Sequence, residues 1–326
     1  MTVKERLLAL LTQRQGRYIS GEELGQALQV SRTAVWKAIK TLQSEGYNIA
    51  AGTNKGYCLA ADTDVLSNAG VEKYLAPAAA QQLRICVQRT VSSTNTVIKQ
   101  YAAAAETQGL VVIADTQTAG RGRLGRQFYS PAGTGIYMSL LLRPQLAAEK
   151  AQLITTAAAV ALAQAIDALA PVHAQIKWVN DIFINGKKTC GILTEAAFNI
   201  ENGTLDYAVL GIGINAYTPL GGYPPEIGKI AASVFTAPAA DLRNRLAAEV
   251  LNRFMPLYTH LADKAYLAEY RARSCVVGKP VLVVQNGVST PAVATGIDDD
   301  LHLLVQYENG EKAALSTGEI SIRLQK

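Results

Sequence analysis

The chain has 326 residues, 49% of them hydrophobic, and a net charge of +5, so it can bury a sizeable core across two or three domains. Residues 1–20 interleave Lys4, Glu5, Arg6 and Arg14 with leucines, which excludes the uncharged apolar core of a signal peptide. Cys58, Cys86, Cys190 and Cys275 are scattered and lie far in sequence from His173, His260 and His302; this argues against disulfides and a cysteine or histidine metal site, and for a reducing cytoplasm without a membrane span.

The charge is unevenly placed. Residues 1–60 hold eight Lys and Arg against four Glu, a net of +4, as a nucleic-acid-binding arm would. Val3, Leu7, Leu10 and Leu11 predict one face of a first helix, and Ser20 with Glu23 a capping box for a second that turns Leu24, Ala27 and Leu28 inward. Ser31 caps a third, with Val35, Ala38, Ile39 and Leu42 toward the core. That leaves Arg32, Thr33, Trp36, Lys37 and Lys40 outward, as a major-groove recognition helix requires. Tyr47 to Ala51 and Tyr57 to Leu59, joined through Gly52–Gly56, read as a two-stranded wing carrying Lys55. A small helical oligomerisation domain is the alternative.

Ala60 to Ala80 gives few signals, after which strands and helices alternate. Gly109 to Ala114 and Ile136 to Leu142 read as buried strands. Between them Gly120, Arg121, Gly122, Arg123, Leu124, Gly125 and Arg126 place three arginines among three glycines. Glycine lets backbone N–H groups converge while guanidinium forks close over an anion. The spacing also spells G-x-G-x-x-G, but Phe128, Ser130 and Pro131 follow where a helix should open, and no ribose-binding acid stands twenty residues on, so it is not a dinucleotide fingerprint. A solvated basic loop is the plainer alternative.

The apolar run Leu153 to Leu169 is broken by Thr155, Thr156, Gln164 and Asp167, which predicts a buried helix. Ser92 to Asn95 offers hydroxyls and an amide before a helix, and capping is the plainer role of these side chains. Lys177 to Asp181 leads into a hairpin turning at Asn185 and Gly186, whose return begins Lys188 to Leu193. Gly211 to Asn215 alternates glycine with isoleucine on a strand, where a ligand ring or another backbone can approach closely. Helical spacing recurs through Leu242, Leu246, Val250 and Leu257. From about Val276, short strands separated by Asn286–Gly287, Asp298–Asp300 and Asn309–Gly310 predict a small all-β barrel.

These motifs together resemble the bifunctional biotin protein ligases that also repress the biotin operon. That family pattern runs S-T-N, Q-x-x-G-R-G-R-x-G-R, K-W-P-N-D, K-x-x-G-I-L and G-x-G-I-N. The chain has Ser93 to Asn95, Gln117 with Gly120 to Arg126, Lys177 to Asp181, Lys188 to Leu193 and Gly211 to Asn215, in that order. It departs at Val179 for proline, at Phe128 where many members have tryptophan, and at Leu124 where some have arginine.

The resemblance implies an α+β multidomain fold: a winged helix-turn-helix over 1–62, a mixed-sheet ligase domain resembling class II synthetases over 63–274, and an SH3-like barrel over 275–326. It implies ATP, Mg²⁺ and biotin, with biotinyl-5'-AMP as intermediate and corepressor, a biotin carboxyl carrier domain and operator DNA as partners, and a homodimer when the adenylate is bound. A biotin sensor without ligase activity and a lipoate ligase are the competing readings.

Carried residue by residue, the resemblance makes Lys188, Arg121 and Asp181 catalytic. Biotin would be held by Ser93, Thr94, Asn95, Gln117, Arg121, Gly122, Arg123, Lys188, Gly191, Gly211 and Gly213. The nucleotide would be held by Arg121, Arg123, Arg126, Phe128, Lys177, Asn180 and Asn215, and Mg²⁺ by Asn180 and Asp181. Ser31, Arg32, Thr33, Trp36, Lys37, Lys40 and Lys55 would meet DNA.

Overall fold

The structure is a computed structural model, and it describes residues 2–44, 46–61, 63–102, 108–199, 203–285, 288–316 and 321–324. Its residues form two compact units: 1–75 with 237–248, and 76–236 with 249–326.

In the first unit, α1 (Val3–Gln13) starts at a capping box in which Thr2 and Glu5 exchange backbone–side-chain hydrogen bonds. At α2 (Gly21–Leu28) only half of the expected box forms. The Ser20 hydroxyl accepts from the Glu23 N–H, but the Glu23 carboxylate is ion-paired with Arg14. The turn to α3 (Arg32–Ser44) passes through Gln29 in the left-handed region. It packs so closely that a Cβ on Gly25 would lie 2.9 Å from the Val30 carbonyl oxygen.

Leu7, Leu11, Leu24, Leu28, Val35, Ile39 and Leu42 make one core, as the helical spacing predicts; each such side chain contributes roughly 1.5–3 kcal/mol when fully buried. The wing is β1 (Ile49–Gly52) antiparallel to β2 (Gly56–Leu59). The weakly signalled tract beyond it forms α4 (Asn68–Glu72), capped by Ser67.

This unit extends past the expected boundary at residue 62 because residues 64–74 are tied to the distant segment 241–244. Arg243 donates to both a carboxylate oxygen and the backbone carbonyl of Asp64, Asn244 donates to the Val65 carbonyl, and Asp241 accepts from Lys73 and Tyr74.

The second unit runs α5 (Pro77–Gln82), β3 (Arg84–Val91), α6 (Thr94–Lys99), β4 (Leu110–Gln117), β5 (Gly135–Leu142), α7 (Gln152–Leu169), β6 (Gln175–Lys177), β7 (Asp181–Ile184), β8 (Lys187–Phe198) and β9 (Leu205–Asn215). After these come α8 (Pro225–Gly228), α9 (Leu242–Thr259), whose first residues belong to the other unit, and α10 (Leu267–Ala272). The sheet is mixed, in the order β3-β4-β5-β9-β8-β7-β6, and only β3 and β4 are parallel.

The central strand β5 is buried along its whole length, with α6 packed against it. The helix α7 is apolar and long enough to cross a membrane by composition, but it lies against β6, β7 and β8 with most of its residues buried. The C-terminal strands β10 (Pro280–Gln285), β11 (Val288–Ile297), β12 (Leu303–Tyr307), β13 (Lys312–Leu315) and β14 (Ser321–Leu324) form an antiparallel sheet in the order β13-β12-β11-β10-β14. The turns at Asp298–Asp300 and Asn309–Gly310 fall where expected; the one at Asn286–Gly287 lies outside the described residues.

Candidate active site and nucleic-acid interface

The arginine loop leaves β4 and returns toward β5 as a closed hairpin. Phe128 N–H donates to the Gly120 carbonyl, Gly122 N–H to that of Arg126, and Arg126 N–H to that of Arg123. Leu124 and Gly125 turn it through successive left-handed conformations; Leu124 is 67% exposed, and Gly125 supplies the freedom that a side chain would restrict.

Beneath it, polar groups from four elements join in one chain. Gln117, the last residue of β4, accepts from the backbone N–H and hydroxyl of Thr94 and donates to the Ser130 hydroxyl at 2.9 Å. Ser139, fully buried in β5, lies 2.7 Å from the Thr94 hydroxyl and 2.6 Å from Asn95 Oδ1. Asn95 Nδ2 then donates to Glu195 on β8 at 2.8 Å. Ser93, Thr94 and Asn95 are all buried, and Ser93 occupies the cap position of α6 without a side-chain cap bond. The capping role expected for these side chains is therefore not the one they take.

Glu195 gathers three cationic or amide donors. Lys99 sits at 2.7 Å, one turn along α6 from Asn95, and Arg121 at 3.5 Å. Burial alone would raise this carboxyl, but hydrogen bonds from Lys99 and Asn95 and the charges of Lys99 and Arg121 hold it below the usual carboxylate range.

Farther along β8, Lys188 Nζ lies 2.7 Å from Asp181 Oδ1, close enough to pair but out of hydrogen-bond line. A register shift opposes Phe183 to Lys188 and Ile182 to Cys190, leaving Thr189 as the extra residue. This bulge turns Lys188 onto the face of Gly191, so that a Cβ on Gly191 would lie 3.3 Å from Lys188 Nζ. Beside the pair, Arg123 donates to Asn180 Oδ1 at 3.0 Å, while Asn180 Nδ2 donates to the Ile192 carbonyl at 2.7 Å. Burial lowers the Arg123 pKa, partly offset by the Asp181 charge. Burial also raises the Cys190 thiol to about 12, which leaves it neutral and without a nucleophile's reactivity.

The glycines of β8 and β9 make room for side chains of the protein itself: a Cβ on Gly213 would lie 2.7 Å from the Phe128 ring and one on Gly211 2.2 Å from Asn95 Oδ1. Gly213, Gly191 and Gly211 thus seat Phe128, Lys188 and Asn95. In this arrangement Asn180 Oδ1 accepts from Arg123 and Asp181 Oδ1 pairs with Lys188, so these two oxygens are open to Mg²⁺ only once the cations turn away.

Of the remaining candidates, Arg126 is exposed, Asn215 Nδ2 donates to the Ala232 carbonyl at 3.3 Å, and Lys177 lies over the Phe183 ring at 5.5 Å. Phe128 meets Tyr137 edge-on at 6.3 Å. Sequence reasoning missed Ser139, Ser130, Lys99 and Glu195. Ser139 had a signal, as the one hydroxyl among Ile136 to Leu142 that interrupts an otherwise apolar strand apart from Tyr137.

On the first unit, Arg32, Thr33, Trp36, Lys37 and Lys40 share the exposed side of α3, and Trp36 is half exposed with Lys40 Nζ 6.0 Å from its ring centre. Lys55 is exposed on the wing and lies 5.9 Å from the Tyr18 ring. The Ser31 hydroxyl is committed to its helix cap, accepting from Ala34 N–H at 3.2 Å.

Cationic and polar side chains gathered on a mixed sheet, and an exposed basic helix with a wing, are the two features that a ligase with a helix-turn-helix arm would carry. Residues 87–215 match the biotin/lipoate A/B protein ligase family and residues 3–58 a helix-turn-helix domain. The bifunctional ligase/repressor BirA of Bacillus spizizenii is 35% identical over 320 residues, 97% of each chain; that of Escherichia coli is 27% identical over 328 residues, 99% of this chain and 98% of the relative. The fold is like that of the biotin protein ligase of Aquifex aeolicus solved with biotin and ATP, with a TM-score of 0.62 and 24% identity over 74% of this chain and 99% of that one. The chain belongs to the bifunctional ligase/repressor family of biotin/lipoate protein ligases.

Proposed function

We propose that the chain uses ATP to activate biotin as biotinyl-5'-AMP, transfers biotin to a lysine of a carboxyl carrier domain, and with the same adenylate bound represses biotin genes. The observation that carries this is the placement of Lys188 and Arg123 beside Asp181 and Asn180, on the sheet that also bears the polar chain of Thr94, Gln117 and Ser139.

Biotin's ureido ring is neutral and needs directed hydrogen bonds, which Thr94 and Gln117 supply once their present partners yield. In the first step a biotin carboxylate oxygen attacks the α-phosphorus of ATP, the bond to the β-phosphate oxygen breaks, and pyrophosphate leaves. Lys188, Arg121 and Arg123 offset the repulsion between the two anions and stabilise the charge of the transition state. Arg126, Lys177 and Asn215 are placed with the nucleotide and Phe128 with its base, packed against the glycines. Mg²⁺ belongs to this reading only as a companion of the ATP phosphates.

In the second step the carrier lysine's amine attacks the carbonyl carbon of the mixed anhydride, an amide forms, and AMP departs. That amine has an ordinary pKa of ~10.4 and must lose its proton; Asp181, freed when Lys188 turns to the bound anion, is the group to receive it.

The adenylate would close the arginine loop and favour a homodimer whose paired α3 helices meet two half-sites of an operator, in the cytoplasm, where carrier and DNA are both present. Incubation with ATP, Mg²⁺, a carrier domain and either biotin or lipoate tests the ligase reading. Mass gain of the carrier with biotin alone is expected. Lipoyl transfer would move the chain to the other branch of its family, and no transfer would leave a sensor.

A further inference from the structure

One carboxylate outside the residues given roles above ties the pocket together. Glu195 Oε2 accepts from Asn95 Nδ2 at 2.8 Å, while Oε1 is shared by Lys99 at 2.7 Å and Arg121 at 3.5 Å. Asn95 has little freedom: its Oδ1 faces the Ser139 hydroxyl at 2.6 Å and fills the space that a Cβ on Gly211 would take, 2.2 Å away. Fixing the Asn95 amide commits the single Ser139 proton to Asn95 Oδ1 and holds Ser139 against Thr94, whose backbone N–H and hydroxyl meet Gln117 Oε1; Thr94 and Gln117 are the groups offered to a neutral ring. The Glu195 charge is already met at close range by Lys99, so Arg121 is held by the weaker, longer contact, and its side chain remains half exposed.

We infer that Glu195 is the positioning residue of the biotin pocket. One oxygen locks Asn95 and the hydroxyl chain behind it, and the other parks Arg121 at the entrance until the carboxylate of an incoming ligand takes it over. This rests on the pocket assignment proposed above. The two oxygens make separable predictions, because a glutamine keeps one acceptor, open to Asn95 once Lys99 turns its ammonium to solvent, but loses the charge that parks Arg121, whereas an alanine loses both.

The test is equilibrium binding of biotin and of biotinol, its alcohol analogue without a carboxylate, to the full chain and its Glu195→Gln and Glu195→Ala variants, with the thermal unfolding profile as a control for folding. Glu195→Ala should weaken both ligands about tenfold, the scale of one buried hydrogen bond left unmade, with the chain still folded at the assay temperature. Glu195→Gln should hold biotinol at wild-type affinity and leave biotin equal or up to about threefold tighter, since Arg121 no longer has to be drawn from an anion. Wild-type affinity of Glu195→Ala for both ligands would overturn the inference, as would equal loss in Glu195→Gln and Glu195→Ala. Arg121→Ala serves as the separate control. If it and Glu195→Ala both leave biotin binding unchanged, the pocket assignment fails; if Arg121→Ala weakens biotin and Glu195→Ala does not, only the positioning role fails.

Discussion

In the winged-helix unit, most of the proposed DNA-facing residues come from one thirteen-residue helix. In the ligase unit, Thr94, Gln117, Ser139 and Glu195 come from four separate elements, brought together by a sheet whose order departs from chain order. A helix presents an exposed face by its own period, so Arg32, Trp36 and Lys40 align whatever the rest of the chain does. A pocket on a mixed sheet exists only once non-local strands have paired, and its electrostatics belong to partners that no local pattern announces.

Removing Arg243 tests whether the winged helix is as local as it looks. The Arg243 and Asp64 side chains are 6% and 8% exposed, and Arg243→Ala takes the guanidinium away from a buried carboxylate while sparing the backbone N–H of residue 243; a loss of up to about 3 kcal/mol is expected, read as a lowered first transition in thermal unfolding. An unchanged transition would mean that residues 1–60 suffice by themselves.

Lys188→Ala is the corresponding break in the other unit. Single-turnover adenylate formation should fall by roughly 10²- to 10³-fold, while the far-UV spectrum stays unaltered. Adenylation at the wild-type rate would remove Lys188 from the chemistry.

Gly213→Ala should push the Phe128 ring aside and raise the KM for ATP about tenfold, and adding Phe128→Ala should produce no further loss, since the clash is then gone. Additive losses would show that the glycine serves something other than Phe128. The smallest effect is expected from Arg32→Ala with Lys37→Ala: the slope of log affinity for DNA against log salt should decrease by about two, with ligase turnover unchanged. An unaltered slope would place the phosphate contacts elsewhere.

The same contrast explains what could be read in advance. The inward face of α3, the wing, the hairpin at Asn185–Gly186 and the arginine loop follow from spacing and turn chemistry, and all are found where the sequence places them. Lys188 and Asp181 were visible as residues, but the bulge at Thr189 that turns Lys188 onto the pocket face was not, because a bulge depends on the partner strand. Nothing in the sequence singles out Glu195; only the folded chain gives it Asn95 and Lys99 of α6 as partners. The sequence offers Asn180 and Asp181 as oxygen donors but does not show that Arg123 and Lys188 face those oxygens. The segment 237–248 joins the first unit through buried polar contacts separated by more than 160 positions, which no periodicity encodes.

The central claim is that one adenylate serves both units, and its most direct test is DNA binding under control of the ligase reaction. A duplex selected from a random pool in the presence of biotin, ATP and Mg²⁺ is labelled and titrated with the chain by fluorescence anisotropy, without biotin, without ATP, or with excess unmodified carrier domain. Affinity is expected to fall at least about tenfold in each of the three cases, and Lys188→Ala to bind weakly under all conditions, in keeping with a coupling free energy of about 1–3 kcal/mol. Equal affinity with and without biotin and ATP, and indifference to the carrier, would contradict it.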